Sequence, residues 1–198
     1  DLAMLDGFTQ LTLEQGAERM YAFYNRYLQL RALPVPTIAA VHGAAMGAGA
    51  CLMLACDLRI ASANARIGFN FVKLGLHPGL GATALLPRVV GEARATELLL
   101  TGRTLSGTEA EAVGLAHRSV APDQLEATAH QAALELAAAG PLAARLLKQR
   151  LNARLDPQEL EKALRFEALA QSRCYQTRDF QEGITAARER RPPRFEDR

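Results

Sequence analysis

Residues Val41–Phe71 read VHGAAMGAGACLMLACDLRIASANARIGFNF, with three glycines between a short apolar run and a longer one, and with no Glu anywhere. The first run, Thr37–Val41, is closed by Gly43, which predicts a buried strand feeding a turn. From Met46 to Cys56 small and apolar residues lie on every side, so this segment predicts a helix buried all round. The following LRIASANARIGF alternates enough for a strand with a turn near Asn64. Strand, helix and strand make a βαβ-like unit, and the fold class read from them is α/β.

Upstream, Thr12 with Gln15 forms a capping-box pattern ahead of a helix in which Met20, Phe23, Tyr24, Tyr27, Leu28 and Leu30 recur at helical spacing. It stops before LPVP, because each proline pushes its predecessor into extended geometry. Downstream, GLGATALLPRVVG predicts a glycine turn into a short helix ending at Pro87 or Gly91. A further helix has Gly102 past its end, and Ser106 with Glu109 caps the next. After AHRSVAPDQ, read as a link, strand signals vanish: Pro141 stands at a first-turn position and Asp156, Pro157 and Glu159 start a long helix. The chain therefore divides into an α/β core over residues 1–120 and a helical region over residues 121–198.

The 198 residues suffice for one well-buried domain with an appendage, and 49% hydrophobic with 22% charged residues is globular usage. A net charge of +2 gives no field for nucleic acid or membrane. The apolar stretch ending at Asp57 is broken by glycines and falls short of the ~20 residues that span a bilayer. Three cysteines, Cys51, Cys56 and Cys174, are an odd count and read as reduced thiols of a cytoplasmic protein with no leader peptide. Neither C-x-x-C nor H-E-x-x-H spacing occurs, so no metal and no separate cofactor is expected.

The glycines admit several readings. Gly79–Ala84 fits G-x-G-x-x-A, but His77 and Pro78 stand where a dinucleotide fingerprint needs a strand running straight into the first glycine. A helix starting at Gly47, Ala48 and Gly49 would present backbone N–H groups and a positive dipole end to a developing anion. The same glycines also suit close packing of helix on strand, and the residues alone leave both readings open.

The ordered succession IAAVHGAAMGAGACLMLACDLRIASANARIGF, LGLHPGLGATALLPRVVG, LLLTGRTLSGTEAEAVGLAHRSV and TRDFQEGITAARERRPPRFED resembles the crotonase superfamily, the enoyl-CoA hydratase/isomerase family, almost from end to end. The resemblance implies a spiral of ββα units, a helical C-terminal region used in trimer contacts, trimers paired as hexamers, and an acyl-CoA thioester as substrate, with coenzyme A entering only as part of it. It makes the Ala48 N–H one of two oxyanion donors and Gly47, Gly49, Cys51, Phe71 and Gly79 substrate-binding positions. The second donor is expected from an upstream loop whose last two residues resemble Asp1 and Leu2, so the N-terminal part of the fold is expected to be missing.

The two glutamates that activate water in hydratases of the family fall on Cys51 and Phe71, neither of which does that chemistry. The expected function is therefore stabilisation of a thioester oxyanion or enolate, of lyase or isomerase class. Non-catalytic thioester binding, decarboxylation and thioester hydrolysis are the alternatives. FNFVKLGLHPGLGATALLP is also similar to decarboxylating members acting on carrier-protein thioesters, although Ala44 stands where those carry a histidine. His77 lies where the family lines the acyl pocket and is the candidate acid/base. His42 is expected to hold its turn, Asp57 to pair structurally, and Cys51 to fill space.

Overall fold

The computed structural model describes residues 7–196. Its first helix, α1 (Leu13–Leu28), opens on the capping box: Gln15 N–H donates to Thr12 Oγ1 and Thr12 N–H to Gln15 Oε1. One residue per turn, Gly16, Met20, Tyr24 and Leu28, is buried, which makes this an amphipathic helix with a narrow core stripe. After a 3-10 turn (Gln29–Ala32) and the prolines come β1 (Ile38–Val41), β2 (Ala44–Met46) and α2 (Ala48–Ala55). Then β3 (Leu58–Ser62), β4 (Arg66–Gly68), a 3-10 segment (Asn70–Leu74) and α3 (Ala82–Val90) repeat that order.

The repetition is what builds the molecule. β1 pairs in parallel with β3, Ile38 opposite Leu58 and Val41 opposite Ala61, while β2 pairs in parallel with β4, Ala44 opposite Arg66. Each strand pair thus steps from one sheet to the other, and the second pair lies against the first as the next turn of a spiral. Gly43, at φ +59°, makes the corner between β1 and β2, a conformation that costs glycine little. After α4 (Glu92–Thr101), β5 (Thr104–Ser106) runs antiparallel to β4; α5 (Gly107–Ala112) follows, and β6 (Arg118–Val120) closes the first sheet beside β3.

Four helices follow: α6 (Leu125–Ala137), α7 (Pro141–Asn152), α8 (Pro157–Cys174) and α9 (Arg178–Glu189). α6 covers β1 and β3, and α8 packs along α1. The loss of a side chain at Gly16 lets the Ser172 hydroxyl in, where it donates to the Leu13 carbonyl at 2.8 Å. α7 is tied down by Lys148, buried at 6% exposure, whose Nζ is 2.7 Å from Asp57 Oδ2. Asp57 also accepts from the Thr37 N–H and hydroxyl, so its structural pairing joins three parts of the chain.

Two readings are corrected. The supposed link AHRSVAPDQ contains β6, where His117 Nδ1 accepts from the Arg59 N–H at 3.2 Å and so belongs to the sheet margin. And α2 is buried from Ala50 to Ala55 except for a half-buried Leu52, whereas Ala48 and Gly49 in its first turn are exposed. No helix among the described residues is long and apolar enough to cross a membrane.

Candidate functional site

The exposed first turn of α2 opens on a cavity of about 330 Å³. Gly47 is its N-cap at φ +52° and ψ −111°, and no side chain caps the helix. The Gly47 N–H is spent on the Gly68 carbonyl of β4 at 2.8 Å, and its own carbonyl accepts from Cys51 N–H at 3.0 Å. The N–H groups of the residues between them, beginning with Ala48, have no intrahelical acceptor, and the helix dipole adds positive potential there. Gly47 and Ala48 form one end of the cavity wall.

The other walls are largely apolar: Met20, Phe23 and Tyr24 from α1, Met46 from β2, Phe71 and Leu74 from the 3-10 segment, then Leu76 and Leu80. Polar side chains enter at Asn70, Tyr24, Gln171 and Tyr175. The Tyr24 and Tyr175 hydroxyls both donate to Gln171 Oε1, at 2.7 and 3.0 Å, and Gln171 Nε2 donates to the His77 carbonyl at 2.8 Å. Burial pushes both phenols well above the usual tyrosine value, so they stay neutral. No Asp, Glu, Lys, Arg or His is among the described residues lining this cavity. A larger groove of about 560 Å³ between β1, α6 and α7 is lined only by Pro, Val, Ile, Leu and Ala and holds no reactive group.

Leu80 reaches the cavity from a strained loop, in the left-handed region at φ +59° and followed by Gly81 at +76°. Glu167 of α8 holds that loop: its carboxylate accepts from Gly81 N–H at 2.7 Å and from the Thr83 N–H and hydroxyl at 2.8 and 2.6 Å. It thereby caps α3 from another helix. Burial raises its pKa above the ordinary glutamate value, although those bonds pull the other way.

The candidates from the sequence separate into three groups. Gly47, Ala48 and Phe71 meet at the cavity, with the Phe71 ring edge 3.7 Å from where a Cβ on Gly47 would lie. Cys51 and Gly79 stand behind the wall: the buried thiol donates to the Gly79 carbonyl at 3.4 Å, and burial pushes its pKa well up. Gly79 has no room for a side chain, because a Cβ there would sit 2.5 Å from the Tyr24 hydroxyl. Gly49 faces the groove on the other side of α2, beside His42. The His77 ring is not at the cavity wall. Its Nδ1 donates to the Pro78 carbonyl at 2.6 Å and its edge meets the Phe166 ring at 5.5 Å between centroids, two contacts that hold it elsewhere. Asp1 and Leu2 lie outside the described residues.

The family model described as enoyl-CoA hydratase/isomerase matches residues 4–198. The chain belongs to the enoyl-CoA hydratase/isomerase family. Rat mitochondrial methylglutaconyl-CoA hydratase is 41% identical over 167 residues, covering 82% of this chain and 53% of that protein. The short-chain-enoyl-CoA hydratase of Clostridium acetobutylicum is 38% identical over 83% of this chain and 63% of its own length. Among solved structures, an enoyl-CoA hydratase from Mycobacterium avium subsp. paratuberculosis superposes with a TM-score of 0.86 at 37% identity, over 92% of this chain and 74% of that one. The chain thus spans about half to three quarters of the length of these proteins, and its α/β architecture is the crotonase-like fold of the family.

Asn70, Gln171 and Tyr175 were not singled out from the sequence, and Tyr24 only as one of a helical stripe. Tyr24 and Gln171 are 147 residues apart, and no local pattern announces that α1 and α8 meet there. Asn70 directly precedes Phe71 and stood one position from a candidate; only the 3-10 turn brings it to the wall.

Proposed function

We propose that this chain binds an acyl-CoA thioester, or the same acyl group on a carrier protein, and stabilises the negative charge that develops on the thioester oxygen. The supporting observation is the uncapped start of α2, Gly47–Ala48, forming one end of a mostly apolar cavity. An N–H aimed at a developing oxyanion in such a site contributes about 3 to 4 kcal/mol to the transition state. The acyl chain lies among Met20, Phe23, Leu74 and Leu80, and the Ala48 N–H takes the carbonyl oxygen.

The chemistry is that of an enolate or oxyanion, in the lyase or isomerase range of the family, without glutamate-activated water. Cys51 is a buried, neutral thiol and Phe71 has no proton to move, so addition of water across an enoyl double bond lacks both its acid and its base. Decarboxylation does not need them: the carboxylate leaves as carbon dioxide and the electron pair of the broken bond passes into the enolate. The uncharged lining favours that reading, or binding without turnover, over hydration. His77 enters the chemistry only if its ring leaves Pro78 and Phe166. Association as a trimer or hexamer is part of the same proposal, supported by Leu142, Leu146, Leu147 and Leu151, which α7 exposes.

Incubating the chain with enoyl-, malonyl- and glutaconyl-type CoA thioesters and weighing the products tests this. Loss of carbon dioxide, or binding without change, is the expected result. A gain of 18 mass units with the thioester intact, the mass of one water, would show that hydration proceeds without either glutamate. Release of free CoA would assign a hydrolase.

A further inference from the structure

The cavity contains one polar side chain whose hydrogen-bonding capacity is wholly uncommitted. Tyr24, Gln171 and Tyr175 satisfy one another, but the Asn70 carboxamide has no partner among the described residues. It caps nothing either: the 3-10 segment it opens has Phe69 at its N-cap and no side-chain cap bond. Its position is nonetheless fixed. A Cβ on Gly102 would lie 3.1 Å from Asn70 Cα, so the turn that ends α4 packs closely against this backbone. Its Oδ1 is 3.7 Å from where a Cβ on Gly47 would sit, beside the start of α2 that carries the Ala48 N–H, and with no partner among the described residues to hold the carboxamide a half-turn about χ2 brings Nδ2 to the same place.

Asn70 is half-buried, so its carboxamide is open to a partner that enters the cavity. A carboxamide is a neutral donor over the whole working pH range, and such donors are among the groups that make oxyanion holes. We propose that the Asn70 carboxamide Nδ2–H is a further donor to the thioester oxygen that the Ala48 N–H holds, a reading that rests on the thioester proposal above. Asn70 neither gives up nor takes a proton; it polarises the carbonyl and becomes a stronger partner as charge grows on the oxygen. Its role is thus compatible with a centre from which both glutamates are gone.

The carbonyl stretch of butyryl-CoA carrying ¹³C at the thioester carbon reads this directly, since a donor to the oxygen lowers the frequency whether or not the ligand reacts. The full chain is expected to shift the band to lower frequency on binding. Asn70→Ala and Asn70→Leu, the second close to asparagine in shape and so a check on folding, are expected to bind within about three-fold of the parent while losing a substantial part of the shift. An unchanged shift in both variants would overturn the role given to Asn70 and leave the thioester reading standing. Absence of butyryl-CoA binding to the parent chain would sink the thioester reading and this inference with it.

Discussion

Glu167 has no exposed surface, yet three donors from the turn into α3 converge on its carboxylate. Replacing it with Ala leaves the buried Gly81 N–H and the half-buried Thr83 N–H without an acceptor, which is expected to cost about 3 kcal/mol. For a chain of this size that is roughly 6 to 12 °C in Tm. The pH dependence follows from the direction of the shift. Burial raises the folded pKa above the unfolded one, so the folded protein holds the proton more tightly. The stability this contributes is fully present below the ordinary glutamate value and is lost as pH rises through the raised one. The Tm advantage of the parent over Glu167→Gln should therefore be larger near pH 4.5 than near pH 8; an advantage growing with pH would contradict the assignment. The role of Glu167 was not legible in the sequence, where it is one glutamate of an amphipathic helix. Gly79 was legible as part of a glycine turn and, by resemblance, as a substrate-binding position; the Tyr24 hydroxyl arriving from α1, which leaves no room for a side chain there, was not legible.

Helix α9 carries Gly183 against the backbone of Leu74, and a Cβ at that position would stand 2.5 Å from the Leu74 carbonyl carbon. Backbone on both sides leaves no flexible side chain to give way. Leu74 ends the 3-10 segment that bears Asn70 and Phe71, so α9 sets the height of one cavity wall. Gly183→Ala is expected to cost at least about 1 to 3 kcal/mol through overpacking and to weaken acyl-CoA binding with it. Measured Tm and Kd should fall and rise together; full stability with full affinity would mean that the contact is not made. At this scale the sequence was most informative where an element carries its own punctuation: both capping boxes, the glycines after α3 and α4, and the prolines opening α7 and α8 all stand where the residues put them. The short strands β2, β5 and β6 escaped notice because three residues give too little alternation to register a period.

The whole molecule brings together an N-terminal helix, a spiral of strand pairs and a C-terminal helix around one cavity, which is why α1 and α8 supply its polar wall while α2 supplies its N–H donors. The family was legible from the order of four segments, and the glycine turn from its own residues; the polar network was not, because it depends on contacts between ends of the chain. Whether the Ala48 N–H holds a thioester oxygen is the claim on which the account turns. Acetoacetyl-CoA tests it, because its enolate has a distinct near-ultraviolet absorption and needs only a donor to the oxygen to accumulate. Ala48→Pro removes that N–H and sets a ring carbon in its place: Ala48 is the first residue of α2, a position that accepts proline without loss of a helical bond. The account predicts a saturable rise of the enolate band with the parent chain and, with Ala48→Pro folded and its Tm little changed, an affinity for the enolate about 100-fold lower or worse. An enolate band of equal size and affinity in the two proteins would contradict it.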